Sequence, residues 1–478
     1  MLFPTVNFAI FFMAVLGISW WLRPREREWR LFIIASSWFF YGAWDSRFVL
    51  LLAASTIGNY LFGRLIFSLR NGPRRSTAET GVVLLGVALN LGLLGWFKYY
   101  GFFATNLNDL LGTLGIGNAL PLLEITLPIG ISFFTFQAIS YIVDVGRREV
   151  EPMPILDFAT YLSFFPHLVA GPIVRASEFA PQLKNPVDRN AIPATAAFCL
   201  IFVGLFKKVV ISSYLASEIV DPVFGIPGDH TSIEILIATY AYAVQIFADF
   251  SGYTDIAIGC ALLLGIRFPQ NFNSPYAAIT LQDFWRRWHM SLSRWLRDYL
   301  YIPLGGNRGT KAFIYRNLVL TFLLGGLWHG AAWTFNIWGA IHGFGQVFER
   351  EWDDRKQRHF VIGSVVNPGA TLIRWLVTFH IVCLAWIFFR AETIGTAFEL
   401  LWRMATAWGS APLVSPLLLV VIAASIAYQF IPASIGGKAQ SAFARMGPAL
   451  QAASLAFGLL LIDGLGPEGV SPFIYFRF

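Results

Sequence analysis

Apolar residues run along this chain in long stretches, without the strict alternation of half-buried strands. A membrane span needs about 20 such residues, and candidate stretches lie near residues 4–22, 31–44, 47–67, 81–103, 123–143, 194–216, 232–265, 317–348, 369–389, 412–431 and 447–463. The 31–44 stretch is short and predicts little tilt or a locally thin bilayer. The 317–348 stretch is about 48 Å long as one helix, against a hydrocarbon core of about 30 Å. It is therefore strongly tilted, broken near Gly325-Gly326, or two short spans. The pattern predicts an all-α polytopic integral membrane protein with about ten to twelve transmembrane helices. Two regions depart from it. Residues 152–192 carry Pro152, Pro154, Pro166, Pro172, Pro181 and Pro186 between apolar patches too short to cross. They predict re-entrant or interfacial helices whose broken backbone is buried in protein or faces water. Residues 266–316 form the second region. With no tandem repeat, low-complexity tract or separate soluble module, residues 1–478 read as a single membrane domain.

Composition agrees with the pattern: 56% of residues are hydrophobic and 13% charged, about half the charged fraction of soluble domains. Many of the 17 Trp and 45 Phe lie near the ends of apolar runs, as interfacial belts require. Met1-Leu2-Phe3-Pro4 has no basic n-region, and no small-residue cleavage site follows the run to Leu22, so a retained first span is expected. The net charge is +7, with clusters at Arg23, Arg25, Arg27 and Arg30 and at Arg70, Arg74 and Arg75. The positive-inside rule places both clusters in the cytoplasm, with two segments between them turning at Trp44-Asp45-Ser46-Arg47 and the N-terminus outside. These charges are assigned to topology, and no nucleic-acid partner is expected. Cys199, Cys260 and Cys383 sit in apolar surroundings without paired spacing, so neither a disulfide framework nor a zinc motif is predicted.

Against that background, His329 in Leu327-Trp328-His329-Gly330-Ala331-Ala332-Trp333 is unusual, because an ionisable side chain at membrane depth is costly. It fits a hydrogen-bonded packing residue or a general base taking a proton from a hydroxyl. Gly325, Gly326 and Ala332 allow close helix approach or a narrow channel, with Trp328 and Trp333 alongside. Asn336, seven residues on, shares the face of His329 on a straight helix and is a candidate to orient its ring. His342, thirteen residues on, falls roughly 220° round and is read as structural.

Thr280 to Arg297 reads as an amphipathic interfacial helix spanning about 281–299, with Thr280 as N-cap and Asp283 in the first turn. Trp285, Trp288, His289, Leu292, Leu296 and Tyr299 share one face; Asp283, Arg286, Arg287, Arg294, Arg297 and Asp298 share the other. Seven basic residues against two acidic between 281 and 316 fit a helix lying on anionic membrane lipid. The same charge, including Arg286, Arg287 and Arg294, fits attraction of an anionic donor such as coenzyme A phosphates. His289 is a packing, gating or active-site residue. Asp249 and Asp255 lie about 240° apart round a helix, which fits a polar chamber lining, interhelical hydrogen bonds or an ion path. The chain has no GxSxG elbow, Walker A loop, dinucleotide fingerprint or HExxH, so it offers a base and a channel without an evident nucleophile or metal site.

A series of ordered motifs resembles the membrane-bound O-acyltransferase family, specifically its bacterial alginate O-acetyltransferase branch, which is related to the D-alanyl transfer protein of teichoic acid modification. They are Leu127–Gln137, Ser163–Ile173, Asp249–Tyr253, Asn271–Tyr276, Asp283–His289, Leu300–Asn307, Gly325–Gly330 and Pro472–Phe478, densest over 125–345. The resemblance implies a ring of helices around a tunnel, with His329 as the essential histidine and His289 at the second active-site position. Trp285, Trp288, Trp328, Asn336 and Asp249 are candidate lining residues. It implies acetyl-CoA as co-substrate with no bound cofactor or metal, a periplasmic serine-esterase-like partner, and an extracellular polysaccharide as final acceptor, at the bacterial inner membrane. D-alanyl transfer from a carrier protein and lipid or protein acylation remain alternatives within the family. A transporter using Asp249, Asp255 and His329 is the alternative outside it.

Overall fold

A backbone surrounded by lipid or apolar side chains must satisfy its own N–H and C=O groups, which favours helices. In the computed structural model of the chain, residues 1, 3–72, 74–115, 117, 120–169, 171–357, 368–467, 473 and 474 are described. Helices are the only regular elements among them. Among the described residues, six helical segments are long and apolar enough to cross a membrane: Arg47–Ser68, Thr77–Thr113, Ala194–Gly225, Ser232–Leu263, Pro368–Arg390 and Pro448–Leu465. Val6–Leu22 and Pro416–Tyr428 are shorter apolar helices. Of the predicted motifs, Ala170, Pro472 and residues 475–478 lie outside the described residues. The chain divides into two compact units, Met1–Ala197 with Ala257–Pro269, and Phe198–Ile256 with Gln270–Phe478.

The first unit begins with α1 (Val6–Leu22), α2 (Glu26–Gly42), α3 (Arg47–Ser68) and α4 (Thr77–Leu94). The arginine clusters fall around the α1/α2 and α3/α4 junctions, and the chain turns between α2 and α3 at residues 43–46, as the charge pattern predicts. Arg47 donates to both oxygens of Asp45 in that turn. Inside the unit, the amides of Asn59 and Asn90 exchange hydrogen bonds of 2.7 and 3.3 Å between α3 and α4. α5 (Ile131–Arg147) starts later than the 123–143 stretch suggests. Gly130 precedes it with φ 75°, and a Cβ there would lie 2.3 Å from the Leu168 carbonyl oxygen. This close left-handed turn blocks an earlier helix start. The proline-rich region folds as the short helices Ile155–Ser163, Phe165–Leu168 and Ala176–Lys184, with Tyr161, Phe164, Phe165, His167 and Leu168 fully buried.

The second unit includes most of α6 (Ala194–Leu205), the wider π turn Phe206–Ser212, and α7 (Ser232–Leu263) as far as Ile256. Gly204 and Gly252 let the two helices touch, since a Cβ on either would lie 2.6–2.7 Å from the other's carbonyl oxygen. Beside this crossing, Lys207 pairs with Asp255 at 2.7 Å and Lys208 pairs with Asp249. The π turn thus presents successive lysines to carboxylates that do not face each other on α7.

Beyond α7 come α8 (Leu281–Arg287), α9 (Met290–Leu296), α10 (Lys311–His329), α11 (Trp333–Gln357), α12 (Pro368–Arg390) and α13 (Pro448–Leu465). Two sequence expectations are corrected here. The 281–299 amphipathic helix is not continuous: Trp288 is extended and His289 is left-handed, with φ 42° and ψ 54°. The 317–348 stretch is two helices, but it breaks at Gly330 rather than at Gly325-Gly326. Gly326 and Gly339 instead form a close seam, where added Cβ atoms would lie 2.3 and 2.4 Å from the Phe335 and Phe322 carbonyl oxygens.

Candidate active site

The second unit gathers three buried histidines in a shell of aromatic rings. His289 occupies the junction of α8 and α9, and a seven-residue helix cannot fix such a junction by itself. At its start, α8 is capped by the Thr280 hydroxyl, which accepts from Asp283 N at 3.0 Å, as the sequence predicts. The Glu349 carboxylate on α11 adds a second cap, accepting the Leu281 N–H at 2.7 and 2.9 Å. At the other end, Asn271 works from a separate loop. Its side-chain oxygen accepts from Ser291 N at 3.0 Å and Ser291 Oγ at 2.8 Å, while its backbone oxygen accepts from Met290 N at 2.9 Å. Asn271 therefore caps α9 from outside the helix and holds the left-handed turn.

The same Asn271 oxygen lies 3.2 Å from His289 Nδ1. An amide oxygen only accepts, so Nδ1 carries the hydrogen and the neutral ring keeps its lone pair on Nε2. That Nε2 is buried and has no hydrogen-bond partner among the described residues. His342 has the opposite tautomer. The Trp285 indole N–H, a donor only, reaches His342 Nδ1 at 3.2 Å, leaving the hydrogen on Nε2.

Aromatic contacts bring the histidines into one shell. Phe250 meets His289 edge-on at 4.6 Å. Trp328 lies 6.2 Å from His289 and 4.9 Å from His329. His329, 3% exposed, also meets Trp338 at 4.9 Å and Phe389 at 5.2 Å. Trp338 reaches His342 at 5.0 Å and Trp285 at 5.6 Å, and Trp386 bridges Trp288 and Trp338 at 5.1 and 6.0 Å. The three imidazoles are thus buried in a largely apolar, aromatic environment. Such an environment suits a proton transfer coupled to attack on a carbonyl, and it excludes competing water. Among the described residues, no group of three or more His, Cys, Asp or Glu side chains is arranged to hold a metal ion.

Of the candidate residues, the shell thus unites His329, His289, Trp285, Trp288 and Trp328. Asn336, on α11, donates from Nδ2 to the Ala332 carbonyl at 3.5 Å, and the break at Gly330 lies between it and His329. His342 also lies in this shell, packed against Trp285 and Trp338. Asp249 is 2% exposed and fully engaged, by Lys208 on one oxygen and by the Ile474 N–H at 2.8 Å on the other. Arg286 is exposed, Arg294 is half-buried, and Arg287 pairs with Asp283 at 2.9 Å. The anchors Asn271, Trp338, Trp386 and Glu349 are not singled out by sequence reasoning. Asn271 shows there only as part of a motif, and Trp338 only as an aromatic in an apolar run.

A family model described as MBOAT, membrane-bound O-acyltransferase family, matches residues 64–389. A probable alginate O-acetylase of Azotobacter vinelandii is 41% identical over 406 residues, covering 84% of this chain and 77% of that protein. The peptidoglycan O-acetyltransferase of Helicobacter pylori is 39% identical over 401 residues, covering 78% and 73%. The teichoic acid D-alanyltransferase of Bacillus subtilis is 29% identical over 276 residues, covering 55% and 69%.

Proposed function

The chain belongs to the membrane-bound O-acyltransferase family, and from that membership we propose that it moves an acetyl group from cytoplasmic acetyl-CoA to an acceptor hydroxyl for delivery to an extracellular polysaccharide. The observation that carries this reading is the pairing of His329 with His289 across Trp328 in a buried aromatic shell. His329 takes the proton from the acceptor hydroxyl as its oxygen bonds to the thioester carbonyl carbon. The carbon–sulfur bond breaks, and the departing thiolate takes that proton. His289 orients the thioester or shares the proton through Nε2, and Trp285 and Trp288 wall the reacting groups from water. Arg286 and Arg294 attract the donor phosphates. Acetyl is favoured over D-alanyl because the similarity to the two O-acetylating proteins is higher and covers more of the chain. The final acceptor is reached through a periplasmic serine-esterase-like partner. The protein lies in the bacterial inner membrane with its N-terminus outside, which the arginine clusters support.

The test compares ester-linked acetate and D-alanine on envelope polymers in three strains: one lacking the gene, one restored with the parent chain, and one restored with equally abundant His329→Ala. Acetate lost and restored only by the parent is the expected result. Loss of D-alanine instead would assign the carrier-dependent branch. No change in either ester while the gene is expressed would defeat the polysaccharide reading.

A further inference from the structure

Within the aromatic shell, His342 is a buried histidine to which the acyl-transfer reading gives no task. Its ring is nearly parallel to Phe284 at 6.0 Å and stacked with Phe322 at 6.2 Å, with Trp338 edge-to-face at 5.0 Å. It is 0% exposed. Such a surround suits phenylalanine better than imidazole. An imidazole here leaves its Nε2–H without a hydrogen-bond partner among the described residues, which is unfavourable in an apolar setting. What imidazole adds is the Nδ1 lone pair that accepts the Trp285 indole N–H at 3.2 Å.

Trp285 lies three residues before Trp288 and four before His289, on the short helix α8. Glu349, which holds the start of α8, is seven residues beyond His342 on α11, so the two project from the same face. α11 therefore grips α8 at its N-terminus through Glu349 and at Trp285 through His342. We propose that His342 is a positioning residue for acyl transfer: its Nδ1 latch on Trp285 sets the angle at which α8 presents Trp288 and His289 to the site. This role rests on the acyl-transfer reading above.

The test measures acetyl transfer from labelled acetyl-CoA in host membrane vesicles, alongside the thermal midpoint of each purified variant in detergent. His342→Phe keeps the aromatic packing and removes the acceptor. It is expected to melt no lower than the parent, yet to lose about ten- to a hundredfold in kcat with little change in KM for the donor. His342→Asn sets an oxygen where Nδ1 stood and should recover most of that rate, whereas His342→Gln, whose amide reaches the Nε2 position, should not. Trp285→Phe should lose as much as His342→Phe, and the double variant no more than either. A merely structural role gives the reverse order, with the Phe variant fully active and the Asn variant unstable. That order, or losses that multiply in the double variant, would overturn the latch. A parent chain that transfers no label would instead defeat the acetyl-CoA reading on which it rests.

Discussion

Asn271→Ala tests whether the left-handed turn at His289 is imposed from outside its own helices. The substitution removes one buried oxygen that accepts from the Ser291 N–H, the Ser291 hydroxyl and His289 Nδ1–H. Hydroxyls reorient, but the two N–H groups cannot. Leaving a buried donor unmet costs about 1–3 kcal/mol, so two place the loss at roughly 2–6 kcal/mol. The native turn also holds a non-glycine residue at φ 42°, a conformation costing about 1–2 kcal/mol. With its side-chain anchor gone and only the Met290 N–H still held by the backbone oxygen of residue 271, the turn relaxes toward ordinary helical geometry and carries His289 away from Trp328. Ser291→Ala is the control, because it removes only a hydroxyl donor and should cost about 1 kcal/mol. Thermal unfolding in detergent reads the stability term, and acetyl transfer in membranes reads the geometry. Asn271→Ala should lower the midpoint clearly more than Ser291→Ala and reduce transfer by about a hundredfold. Equal midpoints for the two variants, or parent-like transfer by Asn271→Ala, would refute the reasoning.

Two further variants probe the packing beneath the site. Gly326→Ala places a methyl 2.3 Å from the Phe335 carbonyl oxygen and should destabilise by about 1–3 kcal/mol as α10 and α11 separate. Gly325→Ala, whose nearest neighbour is a Leu296 methyl at 3.4 Å, should be tolerated, and equal thermal midpoints would contradict the seam. Lys208→Met strands the buried Asp249 carboxylate and should cost about 3–5 kcal/mol. Adding Asp249→Asn keeps an acceptor for the Ile474 N–H and should restore much of the midpoint, whereas no recovery would show that the pair's charges do not matter.

The sequence reading succeeds where the determinants are local and fails where a distant residue decides. Thr280 and Asp283 mark the start of α8 because capping involves residues three apart. Periodicity likewise identifies Trp285, Trp288 and Leu292 as the buried face. The same periodicity runs straight through His289, since the residue that caps α9 is Asn271, eighteen positions back. Length alone reveals that 317–348 is too long for one upright span, but glycine is ambiguous. A Gly-Gly pair reads as a breaker, while here Gly326 permits contact with α11 and Gly330 ends the helix. The angular arithmetic for Asn336 and His342 assumes a straight helix, and the break at Gly330 interrupts it.

The ion pairs between the π turn and α7 bear on the site's chemistry. An unprotonated lysine near a thioester would compete as an amine nucleophile, and an unpaired carboxylate would compete as a base. Lys207 and Lys208 are instead matched one to one with Asp255 and Asp249, and Asp249 is further bound by the Ile474 N–H. The groups left to handle a proton in the aromatic shell are the imidazoles of His289, His329 and His342. His289 is backed by the amide oxygen of Asn271, where a serine-hydrolase histidine is backed by a carboxylate. A carboxylate stabilises the imidazolium that stands with the tetrahedral intermediate until its proton passes to the leaving group. An amide gives less such stabilisation. It fixes ring orientation and tautomer while leaving little reason for a proton to remain, which suits a reaction in which the hydroxyl proton passes to the departing thiolate within one transfer. The sequence's lack of a GxSxG elbow agrees with the proposed direct transfer between two substrates, and the amide behind His289 supplies the orientation that such a transfer needs.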